Sequence, residues 1–456
     1  MVEEWVKEEL KSVSLGDKRL DKRFMMLVDA ISRNPESSIP MACGTSASTK
    51  AAYRFFDNKS VKAEDICDTH FRSTVERIEN LDKVLVIQDT TSIDFTGHES
   101  VDGIGYLDNV HMRGLKMHSG IAVTLDGVPQ GLLYQQIWAR DVDEIGKSKN
   151  RGKKEIKEKE SYRWLDAVEN VRDRLPDTVG VVQVADREAD IYDLFVCAKE
   201  NNSKILIRAT HNRCVMHKEE YLRDAIQESP VRGYTMVDVK RATNRKPRTA
   251  KVNIRYETME IAPPKNHPQR SSQKPVSVNV ILAEEVDSPK DVTPLCWLLI
   301  TTMLIGTLDD AIQYVKWYSF RWLIERFHYV LKSGCKIEDL QLEKMERLMR
   351  AIVTYCIVAW RILQITYNAR EHPESSADVV LEKHEWEALY CITHKTVVPP
   401  EKPPTLHEAI QCIAKLGGFL GRKSDGEPGV KSIWRGFRKL YCYAEMWKLI
   451  RSSDPG

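Results

Sequence analysis

The hydrophobic period changes near residue 80, and this change limits the chain to a few folds. Residues 1 to about 75 read as helices. The stretch "LGDKRLDKRFMMLVDAISR" spaces its apolar residues for one helical face, and "STKAAYRFFDNKSVKAEDI" reads as a helix, a turn at Asp57-Asn58 and a second helix from near Ser60. From about 80 the period is that of strands. "KVLVIQDTTSIDF" is a buried strand running into a turn, and "LKMHSGIAVTLDG" with "VPQGLLYQQIWAR" form a strand–turn–strand pair around Asp126-Gly127. A helix follows ("YRWLDAVENVRDRL"), then a fourth strand and a helix ("VGVVQVADREAD"), then a fifth strand ("SKILIRAT"). Three strands, helix, strand, helix, strand predicts an α/β fold on a mixed five-stranded sheet, antiparallel at first and parallel afterwards. Residues 213–295 then break into short alternating strands with Pro-rich turns, a β insertion that ends before the strand "WLLITT". The expected domains are a helical one over 1–75, an α/β one over 76–340 carrying the insertion, and a helical one over 341–456.

Bulk composition narrows the function mainly by exclusion. Basic residues number 68 and acidic ones 66, so any surface for a polyanion must be local. Ten Cys without a C-x-x-C pair argue against a disulfide framework or a zinc module. The N-terminus "MVEEWVKEELKSV" is charged and amphipathic rather than a secretory leader. The run "LCWLLITTMLIG" is too short to span a bilayer, so a cytoplasmic protein without a membrane partner is expected.

Three carboxylates fall at informative places. Asp89 ends the first strand after "VLVI", and Asp186 ends the fourth after "VGVVQVA". In a sheet of this order those strands can be neighbours, which would bring the two side chains together. Glu325 lies in "YSFRWLIERFHYVLK". At about 100° per residue, with Tyr318 at zero, Arg321 falls near 300°, Glu325 near 340° and Lys332 near 320°. Phe320, Leu323, Ile324, Phe327, Val330 and Leu331 take the opposite face and would anchor the helix. Clustered carboxylates repel unless cations neutralise them, and hard oxygen ligands suit Mg²⁺ or Mn²⁺, two of which can drive displacement at a phosphodiester. Plainer readings compete. An Asp at a strand end also serves turns and caps, Glu188 and Asp190 are rival carboxylates beside Asp186, and Glu325 with Arg321 could be a solvated ion pair.

Tyr318, Arg321, Glu325 and Lys332 match Y-x2-R-x3-E-x6-K, and "IQDTTS", "DREADI", "AYRF", "LAEE", "PLCWLLIT" and "LGGF" follow in a familiar order. In these motifs the chain resembles the bacterial DDE cut-and-paste transposases of the insertion-sequence-four group, especially its transposon-five branch. The resemblance implies a ribonuclease-H-like core in which Asp89, Asp186 and Glu325 are the catalytic triad, holding Mg²⁺ or Mn²⁺, two ions per site. It implies double-stranded DNA as substrate, at transposon ends and at target. Excision would run through a nick, a hairpin and its opening, followed by joining of the 3′ ends to target. Tyr318, Arg321 and Lys332 would grip phosphates, and Trp297 would stack on a base flipped from the duplex. Arg208 and His211 lie where the group contacts DNA, although Thr210 stands where the group has a Lys. Tyr53 and Arg54 would meet the transposon end, and Lys18, Arg19, Lys22 and Arg23 are further candidates from charge alone. The segment 240–255 has seven basic residues and no acid; Lys240, Arg241, Arg245, Lys246 and Arg248 are expected on the DNA backbone. The C-terminal helices, with the aromatics Phe419, Trp434 and Phe437, are expected to make the homodimer of a synaptic complex. Two other readings stay open: a nuclease of the same fold without strand transfer, and an inactive DNA-binding regulator.

Overall fold

The computed structural model describes residues 2–141, 143, 154–216, 220–239, 247–290, 292–422 and 425–452. Lys240, Arg241, Arg245 and Lys246 lie outside the described residues. Within them ten strands form one mixed sheet. They are β1 (Lys83–Asp94), β2 (Gly105–Tyr106), β3 (Arg113–Val123), β4 (Pro129–Trp138), β5 (Gly180–Ala185), β6 (Lys204–Arg208), β7 (Gly233–Val239), β8 (Arg248–Ile261), β9 (Val276–Glu285) and β10 (Cys296–Thr301).

The order across the sheet begins β4-β3-β1-β5-β6. β3 runs antiparallel to both β1 and β4, while β1, β5 and β6 are parallel. Numbered among themselves these five strands have the order 3-2-1-4-5, the ribonuclease-H-like core that the resemblance implied. Each face of β1 packs on a different layer. Leu85 and Ile87 join the core that contains Leu323, Ile324 and Phe327, and Val84 and Val86 pack with Val171 of the helix Arg163–Arg174. Residues buried on both faces explain why the strand reads as an unbroken apolar run.

The insertion does not form a module of its own. β10 adds antiparallel to β6, and β9, β8 and β7 continue outward, so the five-stranded core and the insertion share one sheet. Trp297 is thereby carried on a strand two places from β5.

Three local expectations need correction. β1 does not stop at Asp89 but runs to Asp94, paired there only with β3, because its parallel pairing with β5 ends at Ile87–Val184. The segment from Tyr318 to Lys332 is not one regular helix. The helix Leu308–Ser319 tightens into i→i+3 bonds at its end (Phe320 N–H to Trp317 O, 3.1 Å; Arg321 N–H to Tyr318 O, 3.0 Å), and the helix Trp322–Tyr329 starts anew before a π-turn at Val330–Gly334. This shifts the phase, so Tyr318 is buried while Glu325 is exposed. Finally, Trp434 and Phe437 are core residues and Phe419 is half-buried, so these aromatics do not make an exposed surface.

The helix Met345–Glu371 is the central strut, packed on β4, on the N-terminal helices and on the C-terminal helices. By length and composition it could cross a membrane, but 89% of its most apolar window is buried within the protein. It is a core helix. Beside it, a buried polar knot fastens the first helix, Glu4–Glu9, to the sheet. His70 Nε2 accepts from the Leu132 N–H of β4 at 3.0 Å, so its proton is on Nδ1 and is donated to Glu9. Arg77 donates to Glu9 and to Gln130 O, and stacks over Trp360 of the strut. Glu9 is 3% exposed. Removing one partner of such a knot strands the others, so Glu9→Ala should cost on the order of 3 kcal/mol in chemical denaturation followed by tryptophan fluorescence. A loss under about 1 kcal/mol would mean that the first helix is not fastened in this way.

Candidate active site

Extending the β1–β5 register by two residues from Ile87–Val184 sets Asp89 opposite Asp186. β5 ends at Ala185, and Asp186 caps the turn Arg187–Ala189 by accepting from Glu188 N–H at 2.8 Å. Asp89 accepts from the Thr90 N–H, also at 2.8 Å. Each aspartate is thus held by a backbone donor at the carboxyl end of a parallel strand pair, where open α/β sheets place their ligands.

Burial, and then the nearby Asp186, push the Asp89 carboxyl up to about 7, with Arg321 working in the opposite direction. Glu325 adds to the repulsion. Asp89 therefore feels both of the other expected carboxylates. The three do not close on a point: among the described residues no three ligating side chains come near enough to enclose an ion. Arg321 stands between Glu325 and Asp89, hydrogen-bonded to Glu325, with its Nη1 3.9 Å from Asp89 Oδ2. A guanidinium occupies the place where a cation is electrostatically demanded. Hard oxygen donors, one of them costly to ionise alone, fit a divalent ion.

The rival carboxylates separate cleanly. Asp190 is buried and fully used: Arg213 donates to its Oδ1 at 2.6 and 2.9 Å, and the N–H groups of Thr210 and His211 donate to its Oδ2, each at 2.7 Å. It fixes the loop after β6. Glu188 is exposed and paired with Arg163 at 2.7 Å.

The remaining expected residues are distributed around this point. Tyr318 packs edge-on against Trp297, ring centroids 5.0 Å apart, and its hydroxyl meets Arg208. Burial raises the Tyr318 phenol, against the pull of Arg321 and Arg208. Lys332 is bonded to Ser92 O at 2.9 Å and to Glu338 at 3.0 Å, on the distal half of β1. Trp297, half-buried, lines a cleft of about 900 Å³ together with Arg187, Arg208, Arg223, Arg248 and Lys290. Arg187, Arg223 and Lys290 were not singled out by the sequence, since isolated cations on different elements leave no periodic signal. Arg248 is paired with Glu285 at 2.6 Å. His211 is exposed in the loop after β6. A second cleft, of about 910 Å³, lies between the N-terminal helices Lys18–Arg33 and Ser46–Asp57 and carries Arg19, Arg23, Lys50 and Arg54. Lys18 and Lys22 are exposed, and Tyr53 is half-buried against the core.

The raised Asp89 carboxyl gives a pH signature. Its cost to the folded, metal-free protein is absent below the ordinary carboxylate value of 3.8 and complete above about 7. Asp89→Asn in EDTA should therefore leave stability unchanged near pH 4 and raise it by about 2–4 kcal/mol at pH 8. Thermal melts at the two pH values measure this; an equal shift at both would remove the buried charge as its cause.

Three family profiles match the chain. The one described as transposase DNA-binding covers residues 2–61, the transposase DDE domain covers 133–361, and the transposase Tn5 dimerisation domain covers 357–455. The DDE match takes in half of the chain and includes Asp186 and Glu325. Asp89 lies before it and is joined to it by strand pairing. A DDE domain works with divalent metal, and the flanking matches carry DNA binding and homodimer formation. The protein belongs to the DDE transposases, metal-dependent enzymes of DNA transposition, and carries the DNA-binding and Tn5-type dimerisation segments on either side of its catalytic domain.

Proposed function

We propose that this transposase works by cut and paste at a site formed by Asp89, Asp186 and Glu325. The observation that carries the reading is the register that sets Asp89 opposite Asp186, with Glu325 one guanidinium away. Two ions, Mg²⁺ or Mn²⁺, would activate the attacking oxygen and stabilise the leaving one at a scissile phosphate. Asp89 and Asp186 would hold them from the strand ends. Arg321 turns from Glu325 to a phosphate oxygen, which frees Glu325 to complete the ligand set. Tyr318 and Lys332 grip the flanking backbone, as do Arg208 and His211. Every step of the pathway (nick, hairpin, opening and target joining) is an in-line displacement at phosphorus, so one site serves them all.

Trp297 belongs to the hairpin step. A strand that folds back sharply cannot keep all its bases stacked, and the basic cleft beside Trp297 offers an extruded base an aromatic face with phosphate-binding cations around it. The N-terminal cleft with Arg54 would hold the transposon end, with Tyr53 supporting its wall. Arg248 and its basic neighbours in 240–255 would follow the DNA backbone. The substrate places this work in the bacterial cytoplasm.

For the homodimer, the exposed apolar residues favour a surface other than the aromatics expected from sequence. Tyr443, Met446, Leu449 and Ile450 are exposed on the helix Val430–Ser452, and Ile392 is exposed on the helix Lys383–His394 packed against it. In a synaptic dimer each subunit could recognise one end and cut the other, coupling cleavage to pairing.

The reading is tested by a time course on end-labelled transposon-end DNA in Mg²⁺, with pre-cut ends and a target plasmid as a second arm. Wild type should give nicks, hairpins and joined products, and Asp186→Ala none of them despite normal end binding. Trp297→Ala should nick normally and form hairpins more slowly, by about tenfold for each 1.4 kcal/mol of stacking lost. Cutting without joining would leave a plain nuclease; binding without cutting would leave a regulator. In a separate experiment, Leu449→Asp should retain single-end complexes and lose paired-end complexes on native gels; unchanged pairing would move the dimer surface elsewhere.

A further inference from the structure

Behind the two aspartates, on the opposite face of the sheet from Glu325, runs a chain of polar groups that the proposed mechanism does not use. Arg163 is its hub. The Nε of Arg163 donates to Thr90 Oγ1 at 2.9 Å, Nη2 donates to Glu188 at 2.7 Å, and Nη1 donates to Glu160 O at 2.8 Å. Its side chain is 11% exposed and lies against the rings of Trp164 and Trp138. Thr90 and Glu188 are not arbitrary ends. Thr90 N–H holds Asp89 Oδ1, and Glu188 N–H holds Asp186 Oδ1, each at 2.8 Å. One guanidinium thus straps together the two residues whose backbone donors orient the two aspartates.

The hydrogen bonds around the hub assign donor and acceptor in turn. Gln88 Nε2 donates to Gln183 Oε1 at 2.8 Å, so Gln88 Oε1 must accept, and it accepts from His118 Nε2 at 3.1 Å. His118 is fully buried, and with its Nε2 donating to Gln88 the Nδ1 of the ring is the acceptor. Thr90 Oγ1, 2.9 Å away, donates to that Nδ1 and is left with lone pairs for Arg163. The Thr90 hydroxyl therefore ties β1 and β3 to the helix Arg163–Arg174 at the level of Asp89, and the Gln88–Gln183 bond ties β1 to β5 beside it.

We infer that Arg163 is a positioning residue for the metal site, setting the separation and orientation of Asp89 and Asp186 through Thr90 and Glu188. The inference rests on the reading of those aspartates as metal ligands. Outer partners of metal ligands usually matter by about 10–100-fold in affinity, which sets the size of the effect. A guanidinium suits the task because it is planar, permanently charged and offers divergent donors from a rigid fork.

The test is Mn²⁺ binding to the full-length protein without DNA, followed by loss of the free-ion signal in electron paramagnetic resonance, beside thermal melts in EDTA. Asp89→Asn and Asp186→Asn are the reference variants. If both bind Mn²⁺ like wild type, the metal reading itself fails. If both lose it, Arg163 is tested cleanly. Arg163→Ala and Glu188→Gln should each weaken Mn²⁺ about tenfold, and the double variant should be no weaker than the weaker single, because the strap is one unit. Should Arg163→Ala fail to melt cooperatively, Glu188→Gln carries the test, since Glu188 is 59% exposed and its change should cost the fold little. Binding within twofold of wild type, or additive losses in the double variant, would overturn the inference. So would tighter binding in Arg163→Ala, which would mean that Glu188, freed from its ion pair, is itself a ligand.

Discussion

The parallel pairing of β1 with β5 is the constraint from which the site follows. Its hydrogen bonds stop at Ile87–Val184, and the next side chains on the same faces are those of Asp89 and Asp186. Parallel strands need a crossover, and the helix Arg163–Arg174 supplies it, covering one face and delivering Arg163 to the back of the strand ends. The opposite face is covered by the helix Trp322–Tyr329, which brings Glu325 and Arg321. Two layers against one strand pair therefore set both the carboxylates and the groups that govern them.

The electrostatics of the site describe a protein waiting for cations. Asp89 is pushed up to about 7 by burial and by Asp186, and Arg321 answers the accumulated negative charge by pairing with Glu325. Such an arrangement is consistent with a side chain that changes partner when DNA and metal arrive together. The extension of the core sheet by β10, β9, β8 and β7 has a related consequence. Trp297 sits on a strand continuous with the catalytic sheet, so its position relative to Asp186 is set by sheet geometry rather than by a flexible linker.

Much of this was legible in the residues. Apolar runs that end on Asp mark strand ends whatever their neighbours, and the order of strand and helix periods leaves few sheet topologies. Register was not legible, and neither was partner choice. Asp190 and Asp186 are equivalent by spacing, yet only the folded loop shows Asp190 consumed by Arg213, Thr210 and His211. The helical wheel failed at Tyr318 because it assumes a constant turn, whereas the chain tightens at Phe320–Arg321. Trp434 and Phe437 looked available because nothing in the sequence says which helix they meet; in the fold they are core. Arg163 was read only as part of a helix, since its function lies in residues far away in sequence.

The most direct measurement is an anomalous difference map at the manganese edge, from crystals of the protein with transposon-end DNA and Mn²⁺. The account expects density between Asp89 and Asp186, with Glu325 turned to the ion and Arg321 on a phosphate oxygen. Manganese elsewhere, or Arg321 still paired with Glu325 while an ion is bound, would contradict it.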